Sequence, residues 1–164
     1  MMTVATVETP STSVEALYRQ DGDRLWRALM AYAGDPDVAS DAVAEAYAQL
    51  LWRGASVNKP QAWVWRAGFR IAAGELKRRN QAAGAGSTDQ LPAVVHLDPG
   101  VDPDLLDALA LLPPKQRAAV VLFYYADAPI REIADRTGMS QLSVRVNLSR
   151  GRKRLKVILG GDDA

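Results

Sequence analysis

The sequence predicts an all-α protein of two small helical domains joined by a flexible linker. Apolar residues recur at three- and four-residue spacing, as on the buried face of an amphipathic helix, and no stretch shows the alternating pattern of a strand. Glycine and proline crowd residues 80–101, which interrupts the helical pattern. We therefore predict four parts: a flexible leader (1–13), a first domain (14–80), a linker (81–101) and a second domain (102–164).

Three helices are predicted in the first domain, at 14–33, 37–52 and 60–79. The first has Leu17, Leu25 and Leu29 on one face and ends at Gly34-Asp35-Pro36. Asp37 is the predicted N-cap of the second helix. Pro60 suits the first turn of the third helix, which ends in three consecutive bases. A short loop, 54–59, connects the last two.

Four helices are predicted in the second domain, at 104–112, 115–126, 129–137 and 141–159. Pro113-Pro114 ends the first, and Gly138-Met139-Ser140 forms the turn before the last. Charge is distributed unevenly here. Residues 81–112 contain five acids and no Lys or Arg, whereas residues 141–159 contain six bases and no acid. The final helix is therefore suited to a polyanion.

Composition excludes several kinds of site. The chain has no cysteine and one histidine, His96, so thiolate metal sites, Cys nucleophiles and His clusters are excluded. We expect no cofactor, no metal, no catalytic residue and no enzyme activity. No apolar run approaches the roughly 18 residues that span a bilayer, and residues 1–13 lack the features of a signal peptide. We expect no membrane contact and a cytoplasmic protein.

Residues 130–144 follow the pattern of a helix-turn-helix. Gly138 suits a left-handed turn, Ser140 caps the next helix and Val144 anchors it in the core. Such a second helix presents its N-terminal side chains to the major groove. An ordinary helix–helix corner is the alternative, and the basic helix that follows favours DNA. Residues expected to face bases or phosphates are Gln141, Ser143, Arg145, Asn147, Arg150, Arg152 and Lys153.

The second domain resembles region 4 of the sigma-70 family. The resemblance is in the helix start Leu112-Pro113-Pro114-Lys115-Gln116-Arg117, in Glu132-Ile133-Ala134, and in Met139-Ser140 with the basic helix after it. It implies that this domain reads the −35 promoter element. Lys115 and Arg117 are expected to touch backbone phosphates there, beside the helix-turn-helix residues.

The first domain is similar to region 2 of the same family. Residues 35–53 resemble the helix that grips the polymerase clamp, and residues 60–79 resemble the −10-reading helix, with its Trp-aliphatic-aromatic-Arg opening. Two regions and a short linker are the architecture of the extracytoplasmic-function group. The sequence departs from the family pattern at Ala44, Arg70, Gly74, Leu142 and Asn147.

The resemblance implies a transcription initiation factor that binds core RNA polymerase and promoter DNA, both as duplex and as melted strand. An anti-sigma factor is a further expected partner. Polymerase contacts are expected at Asp41, Glu45, Leu51 and Trp52, although Trp52 fits a core position equally well. Contacts to the −10 element are expected at Asn58, Trp63, Trp65, Arg66, Arg70, Lys77, Arg78 and Arg79. Both Trp63 and Trp65 also fit core positions.

Two other functions remain open. A helix-turn-helix repressor or activator would explain the final helices, but not a Trp- and Arg-rich helix in the first domain. A degenerate sigma paralogue that sequesters a regulator is compatible with the departures from the family pattern. Co-purification with core polymerase distinguishes a sigma factor from a repressor or activator. Transcription assays distinguish it from a paralogue that does not start transcription.

Overall fold

The computed structural model describes residues 10–82 and 102–160, and every regular element in these ranges is helical. The all-α prediction is confirmed. The helices are α1 (Pro10–Ala33), α2 (Pro36–Arg53), α3 (Pro60–Ala82), α4 (Pro103–Ala110), α5 (Pro114–Val120), α6 (Ile130–Thr137) and α7 (Gln141–Ile158). A 3₁₀ turn, Gly54–Ser56, follows α2, and a π-helical segment, Val121–Tyr125, continues α5.

Local signals explain most helix ends. The Asp35 carboxylate accepts from the backbone N–H groups of Asp37 and Val38, so Asp35, and not Asp37 as predicted, is the N-cap of α2. Pro36 follows at the first helical position, where its missing N–H costs nothing. Asp102 caps α4 in the same way, by accepting from the Asp104 N–H at 2.9 Å.

The two largest differences from the predicted boundaries are at the start of α1 and at the end of α5. α1 begins at Pro10, so residues 10–13 are helical and the predicted leader is wrong for them; residues 1–9 lie outside the described ranges. The predicted helix 115–126 is α-helical only as far as Val120, because the Ala126 N–H bonds to the Val121 carbonyl five residues back. Most of the predicted linker, residues 83–101 with His96, lies outside the described residues.

Helices α1, α2 and α3 pack against one another around large buried side chains. Leu25 and Leu29 of α1 meet Leu50 of α2 and Val64 and Trp65 of α3 in this core. Burial of each such side chain contributes about 1.5–3 kcal/mol of hydrophobic stabilisation. The packing fixes the direction of α3, whose opposite face holds the arginines expected to bind DNA.

The C-terminal helices pack around Leu112, Leu122, Ile133 and Val144, all of them buried. Gly151 allows α7 to lie close to α5, because a Cβ at that position would stand 2.7 Å from Val120 Cγ2. The two halves also touch: α6 packs on α3, and α1 packs on α4 and on the π-helical segment. Buried side chains of both halves therefore form one connected cluster.

No helix in the described ranges is long and apolar enough to cross a membrane.

Candidate nucleic-acid interface

The α6–α7 corner has the geometry of a helix-turn-helix. Gly138 adopts φ 77°, a left-handed conformation that costs a residue with a Cβ more than it costs glycine, and its N–H bonds to the Ala134 carbonyl at 2.9 Å. The Ser140 hydroxyl accepts from the Ser143 N–H at 3.1 Å and caps α7. Ile133 and Val144 are fully buried beneath the corner. These contacts hold α7 at a fixed angle to α6.

The outward face of α7 is basic. Gln141 lies at its exposed N-terminus, and the exposed bases follow along the helix: Arg145, Arg150, Arg152, Lys153, Arg154 and Lys156. Within residues 141–158 there is no acid to offset them. The Arg152 guanidinium stacks on two rings, 4.9 Å from the centre of Phe123 and 5.1 Å from that of Tyr124. An exposed helix of this charge at a helix-turn-helix corner is suited to the DNA major groove.

Two predicted residues of α7 are less available than expected. Ser143 and Asn147 are half-buried. The Asn147 amide Nδ2 donates to the Ser143 carbonyl at 2.8 Å and to the Ser143 hydroxyl at 3.2 Å. The side chain of Asn147 therefore bonds within its own helix instead of facing outward as predicted.

Of the two residues predicted to touch phosphates at the start of α5, Lys115 is exposed, whereas Arg117 is engaged within the protein. The Arg117 guanidinium is half-buried and donates to three backbone carbonyls, those of Ala110, Leu112 and Tyr32. Burial lowers the pKa of this guanidinium, and the nearby Tyr32 opposes that change. Arg117 therefore ties α5 to the end of α4 and to α1.

A cleft of about 480 Å³ lies at the start of α3, and we call it the Trp63 cleft. It gathers three of the residues predicted to contact the −10 element, Asn58, Trp63 and Arg66. Arg53, Lys59 and Asp135 also line it. The Arg53 guanidinium stands 5.5 Å from the centre of the half-buried Trp63 ring. An aromatic ring beside several cations is the arrangement that binds single-stranded nucleic acid.

The remaining predicted cations of α3 lie apart from this cleft. Arg70 is exposed and lines a hollow with Glu45, Gln49 and Trp52. Lys77 lies near the end of α3, in a cavity of about 800 Å³ between the two halves. Arg78 and Arg79 both pair with Glu75, and Arg79 also bonds to Asp35 at 2.7 Å, which raises the pKa of Arg79.

Trp65 does not offer its ring to a base, so the predicted DNA contact is wrong for it in this arrangement. Its side chain is 0% exposed, and its indole N–H donates to the Asp21 carboxylate at 2.5 Å. The core alternative is the correct one. The Arg136 guanidinium covers the ring from the α6 side, 4.2 Å from its centre.

Sequence reasoning missed both partners of Trp65. Asp21 and Arg136 are the buried charged residues of the described ranges, at 3% and 6% exposed. Burial lowers the pKa of Arg136, and Glu132 and Asp21 partly offset this. The sequence does indicate that Asp21 is buried, because it lies four residues after Leu17 and four before Leu25 on the apolar face of α1. Nothing comparable marks Arg136.

The predicted polymerase contacts share the outer face of α2. Trp52 is 91% exposed and Leu51 is 51% exposed, so the core alternative for Trp52 is wrong. Asp41 and Glu45 are exposed on the same helix, and Glu45 accepts from the Gln49 amide at 3.0 Å. A tryptophan left almost entirely in water is typical of a protein–protein contact.

The described residues contain no group of three or more His, Cys, Asp or Glu side chains placed to hold a metal ion.

Residues 103–155 match a family model described as sigma-70, region 4. The chain is 28% identical over 156 residues to the ECF RNA polymerase sigma factor SigE of Mycolicibacterium smegmatis. That alignment covers 88% of this chain but only 60% of SigE. The chain is also 25% identical over 150 residues to the RNA polymerase sigma factor SigV of Bacillus subtilis, with 89% of each chain covered.

Solved structures share the fold. The sigma factor RpoE of Bartonella quintana, in complex with the anti-sigma factor NepR, matches with a TM-score of 0.75 at 18% identity. That match covers 92% of this chain and 98% of RpoE. CnrH, in complex with the cytosolic domain of CnrY, matches with a TM-score of 0.66 at 17% identity over 93% of this chain and 91% of CnrH. The likeness therefore extends over both halves of the chain.

Proposed function

We propose that this chain is a transcription initiation factor, which binds core RNA polymerase and directs it to specific promoters. The basis is that the chain belongs to the extracytoplasmic-function group of the sigma-70 family. In this role α7 reads the −35 element, the Trp63 cleft and α3 bind and open the −10 element, and α2 holds the polymerase. The protein works by binding and not by catalysis.

One observation supports this function above the others. The same chain presents a basic helix-turn-helix face on α7 and an outer face of α2 on which Leu51 is 51% and Trp52 91% exposed. A simple repressor needs the basic face of α7, but a repressor function does not explain the exposed side chains of α2. An exposed tryptophan supplies a large apolar contact, and such side chains dominate the affinity of protein–protein interfaces.

The −10 role rests on the Trp63 cleft. Opening a duplex costs a few kcal/mol per unstacked base, which new contacts to the extruded base offset. Trp63 offers an aromatic surface, Asn58 is an exposed polar group, and the exposed cations Lys59, Arg66 and Arg70 offer phosphate contacts. We expect Lys77, Arg78 and Arg79 to extend the basic track along α3.

A protein inhibitor is a further expected partner. The sigma factor RpoE was solved in complex with the anti-sigma factor NepR, and CnrH was solved in complex with the cytosolic domain of CnrY. We propose an anti-sigma factor for this chain on that ground.

The test is reconstitution with core RNA polymerase of the source organism. We expect the chain to co-purify with core polymerase and to start transcripts from a subset of a promoter library, identified by sequencing the products. Capture without transcripts would instead indicate a sequestering paralogue. Absence of capture would indicate an independent DNA-binding regulator.

Variants of α2 test the polymerase contact within the same assay. Glu45→Lys and Trp52→Ala should each lower capture at least tenfold while the circular dichroism spectrum stays unchanged. Glu15→Lys is the matched control, since it makes the same charge change on an exposed acid of α1. Equal capture of all three variants would show that this face of α2 does not contact the polymerase.

A further inference from the structure

We propose that α7 selects thymine by its C5-methyl group, through an apolar contact surface formed by Leu142 and Val146. We call these two side chains the α7 apolar pair. The inference rests on the proposed function and deepens it, because it names a base that the −35-reading helix selects and the side chains that select it.

The α7 apolar pair lies on the outward side of the helix. Val144, Leu148 and Gly151 form the buried stripe by which α7 packs on the rest of the protein. Because an α-helix turns about 100° per residue, Leu142 and Val146 each stand about 200° away from Val144, opposite that stripe. The two side chains are four residues apart and therefore lie one above the other. At the start of α7, the side chains that point most directly away from the protein are thus apolar.

Both side chains are accessible to a ligand, since Leu142 is 70% exposed and Val146 is 38% exposed. A single exposed apolar side chain is ordinary on a protein surface, but two stacked ones form a continuous apolar strip. Exposed cations such as Arg145 and Arg150 flank the strip, and residues 141–158 contain no acid. The strip therefore suits a polyanion that also offers an apolar group. The major groove of DNA is such a ligand, because thymine places a methyl group among the polar base edges.

The polar side chains next to the pair are engaged within the protein. The Asn147 amide Nδ2 donates to the Ser143 carbonyl at 2.8 Å and to the Ser143 hydroxyl at 3.2 Å, and it lies 3.8 Å from the Met139 sulfur. A bidentate contact from asparagine to adenine needs this amide group free. In the first two turns of α7, base contacts are therefore left to Gln141, Arg145 and the α7 apolar pair.

The spacing of the pair predicts the spacing of the bases. At a rise of 1.5 Å per residue, Leu142 and Val146 are about 6 Å apart along the helix axis. Base pairs are about 3.4 Å apart, so the pair faces base pairs one or two steps apart. We expect thymine, on either strand, at one or two neighbouring positions of the −35 element. Burial of one methyl group against the pair should raise the affinity about fourfold.

The test removes the methyl group alone. The full-length chain, bound to core polymerase, selects duplexes from a library that is randomised at the −35 element. Each thymine of the selected element is then replaced singly by deoxyuridine, which lacks the methyl group but keeps the base pair and the O4 acceptor. We expect the wild-type chain to lose about fourfold in affinity at one or two positions. Leu142→Ala should bind the thymine and deoxyuridine duplexes alike at one of these positions, and Val146→Ala at the other if there are two.

Two matched variants control for the loss of apolar surface. Leu111→Ala shortens an exposed leucine outside α7, and Val157→Ala shortens an exposed valine near the end of α7. Both variants should respond to deoxyuridine as the wild-type chain does. All four variants change exposed side chains, so their circular dichroism spectra should match that of the wild-type chain.

Two results would overturn the inference: a wild-type chain whose affinity is the same with deoxyuridine at every selected thymine, or a Leu142→Ala variant that keeps the full wild-type response. Lower transcription by Leu142→Ala with an unchanged deoxyuridine response would also overturn it, and would assign Leu142 to a protein contact.

Failure of the proposed function has a different result, namely a chain that does not bind core polymerase. Selection by the chain alone then repeats the same comparison, because an independent DNA-binding regulator would read bases with the same helix. A chain that selects no duplex under either condition would overturn the inference as well.

Discussion

The guanidinium of Arg136 lies 4.2 Å from the centre of the Trp65 ring, which places a C-terminal cation against an N-terminal aromatic residue. The indole N–H of the same ring donates to the Asp21 carboxylate. Trp65 therefore joins a buried carboxylate of α1 to a buried guanidinium of α6. The residue predicted to stack on DNA instead connects the two halves of the protein.

Replacing this indole should destabilise the fold. Trp65→Phe removes the N–H donor to the buried Asp21 carboxylate, which keeps charge interactions with Arg24, 3.9 Å away, and with Arg136. We expect a loss of about 1.5–3 kcal/mol in the free energy of unfolding, the cost of a buried hydrogen bond to a charged group. Urea denaturation measures it. Trp63→Phe is the control and should stay within about 0.5 kcal/mol, since Trp63 is only half-buried. A similar loss in both variants would show that the Asp21 bond is unimportant.

Two glycines should respond in opposite directions to alanine. Gly151→Ala places a Cβ 2.7 Å from Val120 Cγ2 and 3.3 Å from the Gln116 carbonyl, so α7 must move away from α5. Overpacking of this kind costs about 1–3 kcal/mol. Gly74 lies within α3 with no atom within 4 Å of the added Cβ, so Gly74→Ala should stabilise by about 0.5–1 kcal/mol. Thermal denaturation of both variants measures the difference. Stabilisation by Gly151→Ala would mean that α5 and α7 are not packed as described.

Two arginines of α7 should affect promoter binding differently. Arg145 is exposed one turn into the helix, where side chains reach base edges, and Arg150 lies further along, where they reach phosphates. Arg145→Ala should reduce discrimination between a matched and a scrambled −35 element by about 1–3 kcal/mol. Arg150→Ala should weaken binding to both promoters alike. Binding of the polymerase–sigma complex to the two promoters measures this. Full discrimination by Arg145→Ala would show that this residue does not read bases.

The Asp35–Arg79 pair should make stability depend on pH. Partial burial raises the pKa of the Asp35 carboxyl, but hydrogen bonds from Arg79 and from the Val38 and Asp37 amides outweigh it and hold the pKa below its ordinary value of 3.8. A carboxyl whose pKa is lowered on folding stabilises the protein above its unfolded pKa. That contribution is lost as the pH falls through the folded pKa.

Asp35→Asn keeps an N-cap but removes this charge. The variant should be less stable than wild type at pH 7, and the difference should shrink as the pH falls below 3.8, the ordinary pKa of this carboxyl, and through its lowered pKa in the folded protein. Urea denaturation at several pH values checks this. In an Arg79→Gln background the difference at pH 7 should be smaller, because the guanidinium partner is gone. A difference that stays constant down to pH 2 would contradict the assignment.

Local signals were enough to predict the helices. Pro36, Gly138 and Ser140 act on the few residues beside them, so their effect is visible in a short stretch of sequence. The main local error, at Val121–Tyr125, has a physical cause: a segment of five residues is too short for its apolar pattern to distinguish a π-helix from an α-helix, and only the hydrogen bonds do so.

The sequence by itself determined that the chain is helical, where most of its helices begin and end, and that its last helix is a basic helix-turn-helix element. Only the tertiary structure decided which tryptophan is buried and which is exposed. Trp65 and Trp52 have similar local patterns, yet one is fully covered and the other almost bare. The reason is distance along the chain: Trp65 is buried by Asp21 and Arg136, residues 44 and 71 positions away, and no local pattern encodes such contacts.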